Sequence, residues 1–375
     1  MNTTNQKNYD EALIPASLLY YPGNEYADDH RKWQGIPAIE RTVKGRIFIS
    51  FYSGMKTEQN GNYVILIKSD NDGETFSEPI LAVVPPTPNT RCFDECLWMD
   101  PCGKLWLFWA QSYGNMDGRL GVWAAICNDA DAENIEFTQP FRIANGIMMN
   151  KPIVLSTGEW LLTCGIYEWI SANYIQIPEE RFSNIYISKD NGKTFELAGH
   201  TAYYDRFIDE HMVIEKNDGS ILMMIRGKHD IGQAISYDKG YTWTEAEDSG
   251  LGNPCSRFCI RRLKSGKMLL INHHDFKGRN NLKAMLSDDE GKTWKGYLMI
   301  DERTGVSYPD MTEDDFGNIY ITYDYDRYDA REIYLAKITE EDILAKKLVT
   351  ESSVLKHIVN KATGEKDDIT PDIVI

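Results

Sequence analysis

The chain has 375 residues, 42% of them hydrophobic, and sets 57 acidic side chains against 40 basic ones, for a formal net charge of −17. That balance excludes the wholesale phosphate neutralisation on which non-specific nucleic-acid binding depends, and it disfavours anionic membrane surfaces. Seven cysteines, an odd number in a long chain, do not read as a disulfide framework, and no run approaches the length of a membrane span.

Residues 1–30 hold no basic stretch followed by a long apolar run, so they do not read as a secretory signal. A cytoplasmic location is expected for the sequence as written, and an extracytoplasmic one if a signal precedes it. From Gly45 onward two marks alternate. Gly-containing turns precede apolar strands at Gly45, Gly103, Gly158, Gly219, Gly266 and Gly317, at intervals of 47 to 61 residues. Between them stands the run Ser-x-Asp-x-Gly-x-Thr-aromatic. It occurs at Ser188–Phe195, Ser236–Trp243 and Ser287–Trp294, with a near copy at Ser69–Phe76 in which Asn71 takes the Asp slot. An Asp or Asn side chain closes a tight turn on its own backbone, Gly takes a positive φ freely, and the aromatic can bury against a sheet. Each copy follows an alternating apolar run, so each reads as a turn between antiparallel strands.

The second unit has only a degraded turn, Cys127–Phe137, and in the sixth the run EEDILAKKL, ending at Leu348, reads as a short helix. Six marks at a near-even period mean six copies of one unit: strand, Gly turn, strand, loop, strand, Asp turn, strand. The expected fold is all-β, a six-bladed β-propeller of four-stranded antiparallel blades. Residues 31–348 are expected to form it. Residues 1–30 are an N-terminal segment whose apolar piece, Leu13–Tyr20, adds a strand to the last blade and closes the ring. Residues 349–375 are an extension packed on the propeller or trailing it.

The Asp-turn repeats and the run GIPAIE (Gly35–Glu40) resemble the sialidase (neuraminidase) superfamily, six-bladed propellers of exo-acting glycosidases. The resemblance implies roles residue by residue. Tyr308, in SYPDMTEDDFGN, takes the place of the family's Tyr nucleophile, and Glu210, in IDEHMVIE, that of its paired Glu. Arg226, closing DGSILMMIR, and Arg279, eight residues before Ser287, take the places of two of three Arg that hold a substrate carboxylate. Asp324, in ITYD, sits where the family holds the third Arg with an acid. The chain departs from the pattern at that third Arg, because Gly35 stands directly before Ile36-Pro37. Losing a charged hydrogen bond costs about 1.5–3 kcal/mol. Arg31, Arg41 and Arg91 are the neighbouring guanidiniums that could compensate. The family's general acid is matched only by Glu58, the one acidic residue in SGMKTEQNGNYV.

The chemistry implied is coherent. A phenol of pKa about 10 is a poor nucleophile, but a carboxylate within reach can take its proton as it attacks. A neutral nucleophile also suits an anionic sugar. Loops expected on the same face add Arg91, Asp94, His211, His229 and His274 as substrate-binding candidates, with His273 beside them. Trp33, Tyr113, Trp169 and Tyr325 are candidates for stacking on sugar rings, and ordinary packing is the alternative for each. No metal or cofactor is expected. The expected partner is a glycan, with neither nucleic acid nor membrane. Three functions fit: an exo-acting glycoside hydrolase on a terminal sugar, anionic or otherwise polar; a uronate-specific polysaccharide lyase using His and Tyr; and a non-catalytic sugar-binding propeller.

Overall fold

The computed structural model describes residues 10–114, 116, 119–167 and 178–365. Among them 25 strands form six antiparallel sheets. Blade one contains β1 (Ser17–Tyr20), β2 (Trp33–Arg41), β3 (Ile47–Gly54), β4 (Tyr63–Ser69) and β5 (Leu81–Val84), in the order β1-β5-β4-β3-β2. Blade two is β6 (Thr90–Met99), β7 (Leu105–Tyr113), β8 (Gly121–Cys127) and β9 (Phe141–Asn145). Blade three is β10 (Ile153–Val154), β11 (Trp160–Gly165), β12 (Ser183–Ser188) and β13 (Glu196–Thr201). Blade four is β14 (Met212–Glu215), β15 (Ile221–Arg226), β16 (Asp230–Ser236) and β17 (Glu247–Gly252). Blade five is β18 (Cys259–Arg262), β19 (Met268–His273), β20 (Leu282–Ser287) and β21 (Lys295–Asp301). Blade six is β22 (Val306–Glu313), β23 (Ile319–Tyr325), β24 (Glu332–Ile338) and β25 (Val354–Lys361). In blades two to six the strands pair in chain order, so each blade is a meander.

The turns form as their residues dictate. All six Gly turns lie between a blade's first and second strands, and each glycine has a positive φ, from 79° to 105°. The Asp turns join the third and fourth strands. In the third blade's copy, Asp190 accepts from the Thr194 backbone N–H at 2.9 Å and from its hydroxyl at 2.6 Å, while Ser188 Oγ receives the Gly192 N–H at 2.9 Å. Asn71 reproduces the contact to the Thr75 N–H at 3.1 Å. Helix α1 (Glu340–Ala345) replaces the turn in blade six, capped by Thr339 and Asp342 in a reciprocal capping box.

Two boundaries differ from the sequence reading. β1 pairs with β5, Ser17 opposite Val84 and Tyr20 opposite Leu81, so it extends blade one and not the last blade. Blade six completes itself with β25, which lies beyond residue 348. A short apolar strand carries no local record of which sheet edge will receive it. The ring closes instead through hydrogen bonds between the chain after β25 and the chain before β2. Thr363 N–H donates to Asp28 O at 2.7 Å, Gly364 N–H to Arg31 O at 2.9 Å, and Arg31 Nη2 to Asn360 Oδ1 at 2.6 Å.

The first strands of the blades, β2, β6, β10, β14, β18 and β22, line a central shaft. Its lower part is charged and closed. Lys151, 7% exposed, points into it, lies 3.1 Å from Asp310 and 3.4 Å from Glu40, and donates to Leu97 O at 2.6 Å and to Ile39 O. Arg257 donates to Asn150 Oδ1 at 2.7 Å and lies 3.7 Å from Asp310. Burial alone would lower the Lys151 pKa, but Asp310 and Glu40 outweigh it and hold the ammonium charged. Gly turns and Asp turns occupy one end of the shaft. The starts of the first strands and the loops between second and third strands meet at the other end.

Candidate functional site

At that second end, inner strands β2, β6 and β22 each carry a bulge with one residue in the left-handed region. The register shifts fall at Gly35/Ala38, Phe93/Cys96 and Ser307/Asp310, and the residues with positive φ are Ile36 (58°), Asp94 (47°) and Tyr308 (54°). Non-glycine residues rarely accept such a φ, least of all a β-branched Ile. Bulges re-aim side chains beside sites, and strain of this kind clusters where surrounding structure imposes it. Tyr308 and Asp94 are thus set in equivalent places in blades six and two.

Tyr308, Glu210 and Arg226 form one contact group. Tyr308 Oη donates to Glu210 Oε1 at 3.2 Å, and Arg226 Nη1 donates to Glu210 Oε2 at 2.5 Å and to Tyr308 Oη at 3.3 Å. All three are buried, at 6%, 3% and 1% exposure. Arg226 and Arg279 converge on the Cys255 carbonyl at 2.5 and 2.8 Å, and the Arg279 guanidinium carbon lies 5.4 Å from the Tyr308 ring centre. Burial, reinforced by Glu210, pushes the Tyr308 phenol up to about 12. It is neutral at working pH, with the acceptor for its proton already in place.

The remaining expected residues divide. Glu58, on the β3–β4 loop, accepts from Arg327 Nη1 at 3.0 Å. Asp94 is 5% exposed and has no hydrogen-bond partner among the described residues. Burial, then the charge of Glu58, raises its pKa well above the carboxylate range, which favours the protonated, hydrogen-donating form. Arg91 is buried on β6 with its guanidinium carbon 3.8 Å from the Phe93 ring centre. Asp324 is fully buried and accepts from Ser307 Oγ at 2.6 Å and from the Ile36 N–H at 2.8 Å.

The histidines depart from expectation. His211 is 1% exposed and its Nε2 donates to the Asn184 carbonyl at 2.7 Å, so it braces blades three and four. His229 is on the β15–β16 turn, with its side chain 82% exposed beside Asp205. His274 packs 4.5 Å from the Tyr297 ring, on outer strand β21. Strand alternation sends His273 inward and His274 away from it. Trp33 is fully buried against Tyr52, Tyr113 is half-buried, and Tyr325 is covered by Arg303; Trp169 lies outside the described residues.

His273 carries a testable pH dependence. Burial lowers its pKa to about 4, whereas an unfolded His titrates near 6.5. As pH falls below about 6.5 the unfolded chain takes up this proton first, so stability present above that value is progressively lost down to about 4, by up to about 3 kcal/mol. Urea midpoints measured across this window should fall with pH, and His273→Gln should flatten that fall. An unchanged slope in the variant would remove His273 from the account.

Sequence reasoning missed Arg327 and the Cys255 carbonyl. Arg31 is spent on Tyr26 O, Asp28, Gln34 and Asn360, and Arg41 lies against Tyr320 and Asp72 at the Gly-turn end. Arg327, three residues after Asp324, is the guanidinium at the mouth. Its carbon lies 5.0 Å from the Tyr308 ring centre and its Nε 3.6 Å from Asp324. The signal available was an acid without its expected partner and an arginine close by in the same hairpin.

The BNR repeat-like domain family matches residues 48–321, most of the chain. No curated protein matches. Among solved structures, a Hadza microbial sialidase aligns with a TM-score of 0.64 at 17% identity, over 80% of this chain and 64% of that one, so this chain spans under two thirds of its length. The leech intramolecular trans-sialidase complexed with 2,7-anhydro-Neu5Ac aligns with a TM-score of 0.67 at 12% identity, over 89% of this chain and 71% of that one. The intramolecular trans-sialidase from Ruminococcus gnavus, in complex with oseltamivir carboxylate, aligns at 0.66 and 12%, over 88% and 98%. At these identities the likeness is one of fold.

Proposed function

Because this chain belongs to the BNR repeat-like domain family and has the sialidase-like six-bladed fold, we propose that it is an exo-acting glycoside hydrolase that removes a terminal sugar bearing a carboxylate. The observation that carries this reading is the buried contact of Tyr308 with Glu210 and Arg226. Tyr308 Oη attacks the anomeric carbon while Glu210 takes the phenolic proton. Glu58, on the loop over the mouth, takes up a proton once a substrate carboxylate displaces it from Arg327, and gives that proton to the leaving oxygen. The aryl glycosidic bond of the glycosyl–tyrosine intermediate is then broken by water. Glu58 takes the water's proton, and Glu210 returns the first proton to the phenolate. This is the retaining double displacement in its tyrosine form. Arg226 and Arg279 put positive charge on one side of the phenol, and Asp94 donates a hydrogen bond to a sugar hydroxyl.

The sialic-acid ligands named for the neighbouring structures make N-acetylneuraminides the first substrates to test. Incubation with the 4-methylumbelliferyl N-acetylneuraminide, a glucuronide and neutral glycosides should release the fluorophore from a carboxylated substrate and leave neutral ones intact. No release from any of them, from acid to neutral pH, would overturn the hydrolase reading. The lyase reading is supported less well: Asn184 holds His211, Asp205 holds His229 and Tyr297 packs on His274, so that reading rests on His273, whose buried Nε2 has no hydrogen-bond partner among the described residues. An unsaturated product absorbing in the ultraviolet would restore it.

A further inference from the structure

We propose that Arg327 supplies the guanidinium that position 35 lacks, so that Arg226, Arg279 and Arg327 together bind the substrate carboxylate, and that Gly35 is glycine in order to admit it. The inference rests on the hydrolase reading for the identity of the ligand, but it can be tested by binding alone.

Gly35 is not required by its own backbone, since its φ is not positive and the left-handed residue of the bulge is Ile36. What excludes a side chain there is Arg327. A Cβ built on Gly35 would stand 2.2 Å from Arg327 Cδ and 2.6 Å from its Cγ, with Asp324 Oδ2 at 3.1 Å. The stem of Arg327 thus fills the space in which a side chain at 35 would begin. It enters from the β23–β24 loop of blade six, whereas position 35 belongs to the inner strand of blade one.

The guanidinium is held on a rigid support. Asp324, fixed by Ser307 and the Ile36 N–H, lies under its Nε, and Glu58 receives its Nη1. The side chain is 11% exposed. Arg279 and Arg327 both lie within cation–π range of the Tyr308 ring, at 5.4 and 5.0 Å. Among the described residues, Nη2 of Arg327 has no hydrogen-bond partner. A planar guanidinium with spare donors, anchored beside the nucleophile, is suited to a planar carboxylate, and a lysine would not reproduce the fork.

The test uses calorimetric binding of free N-acetylneuraminic acid and glucuronic acid, with galactose as neutral control. The proteins are the wild type, Arg327→Ala, Gly35→Arg and the double variant Gly35→Arg/Arg327→Ala, each checked for a native thermal transition. At least one acid should bind the wild type. Arg327→Ala should weaken it by about ten- to a hundred-fold, the worth of a charged hydrogen bond, and leave galactose unaffected. Gly35→Arg alone should also bind poorly, because two arginine stems compete for one space. The double variant should regain most of what Arg327→Ala loses. Equal affinity of the wild type and Arg327→Ala, a folded double variant no better than Arg327→Ala, or no binding of either acid to the wild type would each overturn the proposal. Acid binding without hydrolysis would instead count against the hydrolase reading and leave the clamp intact.

Discussion

Tyr308→Phe is expected to lower kcat on a cleavable aryl glycoside by at least about a thousand-fold while KM stays within a few-fold. Removing a covalent nucleophile takes away an interaction made only as the reaction proceeds, and such losses fall on kcat. Phenylalanine fills the same volume, and what is lost locally is a phenol hydrogen-bonded to Glu210 at 3.2 Å and to Arg226 at 3.3 Å. Hydrogen bonds to charged groups contribute about 1.5–3 kcal/mol each, but Glu210 and Arg226 keep one another at 2.5 Å, so the variant should remain folded. Glu210→Gln should lose less, because the phenol remains but no carboxylate takes its proton; general-base contributions run to about 10²–10⁴-fold. Steady-state kinetics with unchanged circular dichroism separate chemistry from folding. Turnover by Tyr308→Phe within ten-fold of the wild type would end the nucleophile assignment.

Lys151→Met should destabilise the propeller by about 3–5 kcal/mol, the cost of removing one partner from a buried ion pair. Lys151 stands between Glu40 and Asp310, both buried, and ties blade three to blades one and six through Ile39 and Asp310. Without the ammonium, Glu40 keeps neutral donors, Met99 N–H at 3.1 Å and Thr312 Oγ1 at 2.6 Å, and Asp310 keeps Arg257 at 3.7 Å. Neither contact neutralises the pair at close range. The urea midpoint should fall sharply. Adding Glu40→Gln and Asp310→Asn should recover part of the loss, since neutral groups tolerate burial better than unpaired charges. A Lys151→Met midpoint equal to the wild type would show that the shaft is wetter than its burial implies.

The architecture was legible because it is written in short contiguous pieces. Ser188, Asp190, Gly192 and Thr194 close their turn on one another, and Gly219 or Gly266 needs no distant partner to take a positive φ. Six repetitions of such local chemistry specify the blades and their number. Tyr308, Glu210 and Arg226 were legible in another way, through the resemblance of their runs to those of the sialidase superfamily, and the structure brings them into contact.

A turn or an alternating strand enforces its form within a few residues, which is why the blades and their turns could be read from the chain alone. Folding settles the rest: Ser17–Tyr20 pairs with blade one, the ring is stitched shut at Asn360–Gly364, Asn184 and Tyr297 hold His211 and His274, and Arg327 stands where Gly35 leaves room. These are contacts between surfaces that meet only after the blades have closed. Their energies depend on space and charge contributed by remote segments, and neither is recorded in the residues next to them.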